Sequence, residues 1–351
     1  MKQGTSGDDV WALQGILTDM GYLRRDREPG VLCGCTSAAL KYFQKCYKLD
    51  DSGDADEATM TLLEQPRCGV PDIGPNPETS SGPAPFVLRG CKYPNNHLTY
   101  AFRNDTPDLT ESRQRAIVRE AFAAWATVTP LRFTEVGSSE GPDFPIAFER
   151  GNHGDGSSFD GAGRVLAHAF YPPPCGGQFS GALHFDEAEL WSDNAAPGRI
   201  RLLNVAIHEI GHLLGLDHSD TRDAIMFAFY DDNVDSLRPD DVEGIQALYG
   251  PGAAGPGSIS GILSGSGQSE AHQLTVDRPG TLVATLVGPR DADFDLYLRR
   301  GQAPTRRNFD GRGFTSSSNE KVSLSVSGGT VFVLADSWRG NGSYTIDIEI
   351  V

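Results

Sequence analysis

The chain has 351 residues, enough for two or three domains that each bury a core of their own. Its 47 acidic against 30 basic side chains, net charge −17, argue against a nucleic-acid or anionic-membrane partner and speak for solubility more than for any function. No stretch approaches the ~20 apolar residues of a membrane span, and Met1-Lys2-Gln3-Gly4-Thr5 opens no signal peptide because no apolar run follows the lysine: the start is truncated, or an export signal lies outside this numbering.

Val10, Leu13, Leu17 and Met20 recur at helical spacing between Val10 and Tyr22, and Ala39 to Tyr47 and Ala58 to Leu63 read the same way. Three short helices over residues 1–66 predict a small bundle, and nothing in it offers a catalytic set. Gly7-Asp8-Asp9-Val10, Leu13-Gln14, Leu17, Gly21-Tyr22 and the later Ala39-Leu40, Phe43-Gln44 resemble the peptidoglycan-binding-like domain. That resemblance implies either cell-wall binding or service as a prodomain.

The six cysteines are an even number, which invites a disulfide framework. Cys68 is set aside for another role, leaving five and so at most two bridges. Cys33 and Cys35 lie too close in sequence to bridge each other comfortably, which suggests Cys46 with one of them, and Cys91 with Cys175.

Gln65-Pro66-Arg67-Cys68-Gly69-Val70-Pro71-Asp72 is followed by a Pro/Gly/Ser run from Ile73 to Pro85, an exposed linker by composition. Beyond it, strands are expected over His97–Phe102 and Leu131–Val136, flanking a helix from Leu109 to Thr127 that buries Ile117, Ala121 and Trp125 and starts on the capping pair Asp108 and Glu111. Strand, helix, strand suits an α/β sheet packed by helices. A further helix runs roughly from Ile200 to Leu214, and another begins at Pro239-Asp240-Asp241 and ends at Gly250-Pro251.

The helix near Leu214 carries the chemistry. His208 and His212 lie four residues apart, so both imidazoles leave one helix face and can hold one metal ion. Gly215 lets the chain turn left-handed, and His218 can swing back as third ligand. Three nitrogens leave a fourth position open, as in catalytic zinc. Glu209 is placed for a general base acting on water there. The pattern from His208 to His218 resembles the metzincin peptidases, whose methionine turn Met226 fits as a soft floor beneath the metal.

Pro66-Arg67-Cys68-Gly69-Val70-Pro71-Asp72 resembles the cysteine switch of the matrixins, and Phe86–Gly250 resembles their catalytic domain. The resemblance implies a metzincin α/β (α+β) fold and a secreted zinc endopeptidase made as a zymogen, with Cys68 as thiolate on the fourth zinc position. It implies a second zinc on His153, Asp155, His168 and His184, and at least one calcium on Asp160, Asp186 and Glu189 with backbone oxygens of Gly161, Gly163 and Val165. Activation requires a cut between Asp72 and Phe86, after which an amino terminus near Phe86 pairs with Asp240 or Asp241. Val165–Phe170 is expected as the edge strand that receives an extended protein or peptide substrate, beside a pocket walled by His208 and the segment after Met226. Two departures stand out: Ala182 occupies the position of a calcium-binding aspartate, and Ala224-Ile225-Met226-Phe227-Ala228-Phe229-Tyr230 lacks the proline usual two residues after methionine.

After a second linker over 251–257, six alternating segments between Leu274 and Ile350 predict a β-sandwich over 258–351. Asp293-Phe294-Asp295-Leu296-Tyr297-Leu298 and Gly342-Ser343-Tyr344-Thr345-Ile346 resemble the bacterial pre-peptidase C-terminal domain. Asp291, Asp293 and Asp295 read as a solvated strand edge in preference to a calcium site. A monomer is expected. The competing readings are a protein that binds cell-wall or matrix polysaccharide, and a peptidase of peptidoglycan crosslinks.

Overall fold

The computed structural model describes residues 1–24, 29–74, 82–83, 87–250, 257–276, 278–289 and 292–351. Phe86, most of the first linker, the second linker over 251–256 and Asp291 lie outside the described residues. Two compact units emerge, Met1–Pro251 and Gly252–Val351.

Unit 1 opens with α1 (Asp8–Asp19), α2 (Gly34–Cys46) and α3 (Glu57–Leu63). Val10, Leu13 and Leu17 of α1, Leu40 and Phe43 of α2, and Leu62 and Leu63 of α3 bury one shared core. Buried glutamines pin the connections: Gln14 Nε2 donates to Val31 O and Gln44 Nε2 to Asp54 O. The cysteine pairing follows expectation for Cys91 with Cys175 and departs from it for Cys46. Cys33 bridges Cys35, Cys91 bridges Cys175, and Cys46 is a buried free thiol. The reason is where α2 begins: starting at Gly34 rather than Ala39, it sets Cys46 roughly 16 Å along the axis from Cys35, whereas a disulfide needs Cα atoms within about 7 Å.

A six-stranded sheet follows, in the order β1-β5-β6-β4-β2-β3. Its strands are β1 (Arg67–Cys68), β2 (His97–Phe102), β3 (Arg132–Glu135), β4 (Phe144–Glu149), β5 (Val165–Ala169) and β6 (Leu183–Asp186), with α4 (Glu111–Val128) between β2 and β3. All pairs run parallel except β5 with β6. The short pair β7 (Trp191–Ser192) and β8 (Ile200–Arg201) leads into α5 (Leu202–Leu214), and α6 (Pro239–Tyr249) closes the unit. Ile117, Ala121, Phe122 and Trp125 of α4 bury against the sheet and α5, and the Trp125 indole donates to Ile207 O at 2.9 Å. The capping residue of α4 is Thr110, whose side chain accepts from Arg113 N. Asp108 instead accepts from Trp191 N at 2.7 Å, because the helix starts one turn position later than its charge pattern suggests.

Unit 2 consists of two four-stranded antiparallel sheets. One has the order β10 (Ser269–Val276), β15 (Gly329–Arg339), β12 (Asp293–Arg300), β13 (Gly311–Gly313); the other β14 (Glu320–Val326), β11 (Gly280–Val287), β16 (Gly342–Ile350), β9 (Ser258–Leu263). Alternate residues such as Leu282, Ala284 and Leu286 of β11 face Phe294, Leu296 and Leu298 of β12 in a common core. The solvated edge expected around Asp293 and Asp295 is corrected: β12 is an interior strand, both aspartates are buried, and Asp295 accepts from the Tyr297 hydroxyl and from Arg312.

One packing detail is severe enough to test. A Cβ on Gly211 of α5 would lie 2.3 Å from Met226 Sδ and 3.0 Å from a Trp125 ring carbon. Gly211→Ala should therefore destabilise unit 1 by about 1–3 kcal/mol, read as a lower urea midpoint, with unit 2 unaffected.

Candidate active site

On α5 the i, i+4 spacing sets His208 Nε2 and His212 Nε2 3.1 Å apart. Gly215 caps the helix with φ 106°, and a side chain there would collide with Cys91 O, so the chain can turn and bring His218 back. The other ring nitrogens reveal the tautomers. His208 Nδ1 contacts Ile225 O at 2.7 Å and His212 Nδ1 contacts Leu216 O at 2.8 Å. A carbonyl only accepts, so each Nδ1 carries the proton and each Nε2 presents a lone pair. His218 Nδ1 donates to Asp72 Oδ1 at 2.9 Å, and its Nε2 is buried with no partner among the described residues.

Three lone pairs thus converge where they cannot bond to one another. Burial pushes His208 down to about 3, reinforced by His218, and holds His212 far below the usual imidazole range, so protonation is a poor remedy. The fourth side is closed by Cys68, whose Sγ lies 3.5 Å from His212 Nε2. The donor atoms of Cys68, His208, His212 and His218 all fall within 4.8 Å of one another. Two neutral-ring tautomers, an orphaned third nitrogen and a soft sulfur form a donor set that fits a tetrahedral zinc ion. Burial pushes the Cys68 thiol up, with the Glu209 charge adding to it; a divalent cation reverses that direction because it favours thiolate.

Glu209 is fully buried, faces Cys68, and neither carboxyl oxygen has a hydrogen-bond partner among the described residues. Burial raises it to about 8. The cavity here is small, about 30 Å³, and is walled in part by Leu166, Val205, His208, Ala224 and Phe227.

Cys68 is held by backbone pairing on both sides. Gly69 N donates to Ala167 O of β5, and Cys68 N donates to Ala228 O. A side chain on Gly69 would meet Val165 Cγ1 at 2.6 Å, which is why glycine follows the cysteine. Arg67 and Asp72 form a buried ion pair, N···O 2.6 Å, and Tyr47 donates to the second Asp72 oxygen at 2.7 Å. Phe227 and Phe229 pack into the core of the three-helix bundle, against Phe43 and Tyr47. The altered methionine turn is thereby a docking surface for the bundle.

Asp155 Oδ2 lies 2.7, 2.7 and 2.9 Å from His153 Nε2, His168 Nε2 and His184 Nδ1. His153 Nδ1 meets Gly151 O, leaving its Nε2 as a lone pair beside a carboxylate. This second donor set also falls within 4.8 Å and also fits zinc. Asp160, Asp186 and Glu189 gather at the next loop. Glu189 accepts from Gly163 N and Asp160 from Val165 N, so the amides of Gly163 and Val165 meet these acids here. Asp186 Oδ2 is buried without a partner among the described residues, and burial raises Asp186 and Glu189, a set of hard oxygens suited to calcium.

Sequence reasoning missed the roles of Asp72 and Tyr47, whose only signal was the place of Asp72 in the Cys68 motif. It also missed how Asp241 is used. Its two oxygens accept from Ile225 N and Met226 N at 3.0 Å each, and Asp240 accepts from the Ser219 hydroxyl. Both acids expected to await a new amino terminus are therefore engaged in this state.

Comparison with known proteins follows the same division. Residues 92–250 match the matrixin family and residues 6–63 match the putative peptidoglycan binding domain. The chain is 42% identical to interstitial collagenase of Bos taurus over 221 residues, 62% of this chain and 44% of that protein. It is 42% identical to interstitial collagenase of Sus scrofa over 253 residues (70% and 50%), and 40% identical to neutrophil collagenase of Homo sapiens over 214 residues (60% and 43%). The chain thus spans about half the length of these relatives.

Asp241→Ala should strand the Ile225 and Met226 amides beneath the histidines. The expected loss is about 1–3 kcal/mol for each buried group left unpaired, measured by thermal unfolding of the full chain.

Proposed function

We propose, on the premise that this chain belongs to the matrixin family through residues 92–250, that it is a secreted zinc-dependent endopeptidase zymogen acting on extracellular proteins. The observation that carries this is the convergence of three imidazole lone pairs on a buried thiol. His208, His212 and His218 would hold the catalytic zinc, and Cys68 would fill its fourth position until the prodomain leaves. Zinc, when bound, supplies a Lewis acid that acidifies water and draws charge from a carbonyl oxygen.

The chain's own residues do the rest. Glu209, next to the first histidine and unpartnered, takes the proton of the attacking water and returns it to the leaving amine. In the covered state desolvation raises its proton affinity. Once β1 has gone, β5 offers its free edge to an extended substrate, so that backbone hydrogen bonds replace those made by Arg67 and Gly69. Met226 supports the histidines from below. His153, Asp155, His168 and His184 would hold a second zinc, and Asp160, Asp186 and Glu189, with Gly161, Gly163 and Val165, a calcium ion that stiffens the loop leading into β5.

The peptidoglycan-binding match favours a second reading, in which the chain grips or cleaves cell wall. The burial of Phe43 and Tyr47 against Phe227 and Phe229 favours prodomain service, because the bundle's apolar side is spent on this chain. No helix of the described residues is long and apolar enough to cross a membrane. The collagenase names of the relatives point to matrix proteins as substrates.

Gelatin and purified cell wall, offered side by side to prodomain-free protein, separate these readings; cleavage of neither by zinc-loaded protein overturns the peptidase. Metal analysis should find two zinc ions per chain. Glu209→Ala should keep both and lose about 10²–10⁴-fold in rate. Cys68→Ala should raise the activity of the uncut chain, and unchanged latency with zinc bound would overturn the switch.

A further inference from the structure

The three histidines of the centre are oriented by different parts of the chain. His208 and His212 donate from Nδ1 to Ile225 O and Leu216 O, acceptors carried by the same domain as the histidines. His218 donates to Asp72 Oδ1, 146 residues upstream and on the prodomain side of the expected cut. That carboxylate is immobilised. Its side chain is 0% exposed, Arg67 donates to Oδ1 at 2.6 Å, and the Tyr47 hydroxyl donates to Oδ2 at 2.7 Å. Tyr47 is in turn wedged against Phe227 and Phe229.

Among the described residues, the acid next to His218 in sequence, Asp217, is already engaged: it accepts from the Tyr171 hydroxyl, from Arg89 and from His218's own backbone N–H. A carboxylate on the distal N–H of a ligating imidazole fixes its tautomer and ring angle and raises the basicity of the ligating nitrogen. Only one of the three ligands gets that support from a carboxylate, and only while the prodomain is attached.

We propose that Asp72 is a positioning residue for the metal. The zymogen supplies the carboxylate that orients His218, so the zinc is held more firmly before activation than after, by a contribution separate from the Cys68 thiolate. The prodomain then serves during folding as part of the metal site as well as its lid. This rests on the metal reading of the three histidines given above.

The test uses full-length chain in a Cys68→Ser background, which removes the thiolate from the comparison. Zinc content is measured first, then zinc transfer to a chromogenic chelator for the parent, Asp72→Ala, Asp72→Asn and Tyr47→Phe. Asp72→Ala should speed release by about 10–100-fold. Asp72→Asn, whose amide oxygen still accepts from Nδ1, should recover part of that loss, and Tyr47→Phe should show a smaller effect of the same sign. The hydrogen-bonded Nδ1 proton of His218, seen by NMR in the parent, should vanish in Asp72→Ala and persist in Asp72→Asn. A merely structural role for Asp72 predicts equal effects of Ala and Asn. Equal release from parent and Asp72→Ala, or equal effects of Ala and Asn, overturns the inference and leaves the metal reading intact. Parent protein without zinc overturns the metal reading itself.

Discussion

Lone pairs that face one another in a dry interior are the constraint around which unit 1 is built. The carbonyls of Ile225 and Leu216 fix the tautomers of His208 and His212, and burial denies those rings the proton that would relieve the conflict. A cation at the centre would remove the conflict at once, and metal binding would then be coupled to folding. Asp241 holds the turn that supplies Ile225 O, and Gly211 leaves the space that Met226 fills below. Each neighbouring residue is selected by that shared geometry.

The same economy joins the small bundle to the larger fold. Residues 66–69 hydrogen-bond to Tyr230, Ala228 and Ala167, so this segment extends the sheet on one side and caps the methionine turn on the other. The departure that looked most disruptive in the sequence, Phe227-Ala228-Phe229 after the methionine, lies inside the bundle's core. Its aromatic rings are what make a short helical module adhere to this domain.

Much of the site was legible because helical geometry compresses it. His208, Glu209, His212, Gly215 and His218 sit within 11 residues, so spacing alone predicts one face and one turn. The second donor set was legible only through family resemblance, since His153 and His184 come from loop and strand positions whose approach no periodicity reports. Asp72 against His218 and Tyr47 against Asp72 are tertiary contacts between distant segments, and the place of Asp72 in the Cys68 motif was the one signal that pointed toward them. Of the two cysteine pairings expected, Cys91 with Cys175 holds, while the one given to Cys46 rested on the view that Cys33 and Cys35 are too close to bridge, and they do bridge across the start of α2. In unit 2 the alternation of β11, β14 and β16 was plain, but the interior position of β12 was not, so buried Asp293 and Asp295 were read as an edge.

The packing of Phe227 and Phe229 against Phe43 and Tyr47 sets a limit on lifetime. A chain that sheds its first three helices uncovers two aromatic rings beside its working cleft and loses the apolar burial they shared. If the bundle is released as proposed, the remaining domain would resist unfolding and self-association less than its precursor, and its survival would be governed by a rate. On the proposed activation, the cut that starts the activity would also set a decay running, and the persistence of the active form would be written into the contact that had kept it silent.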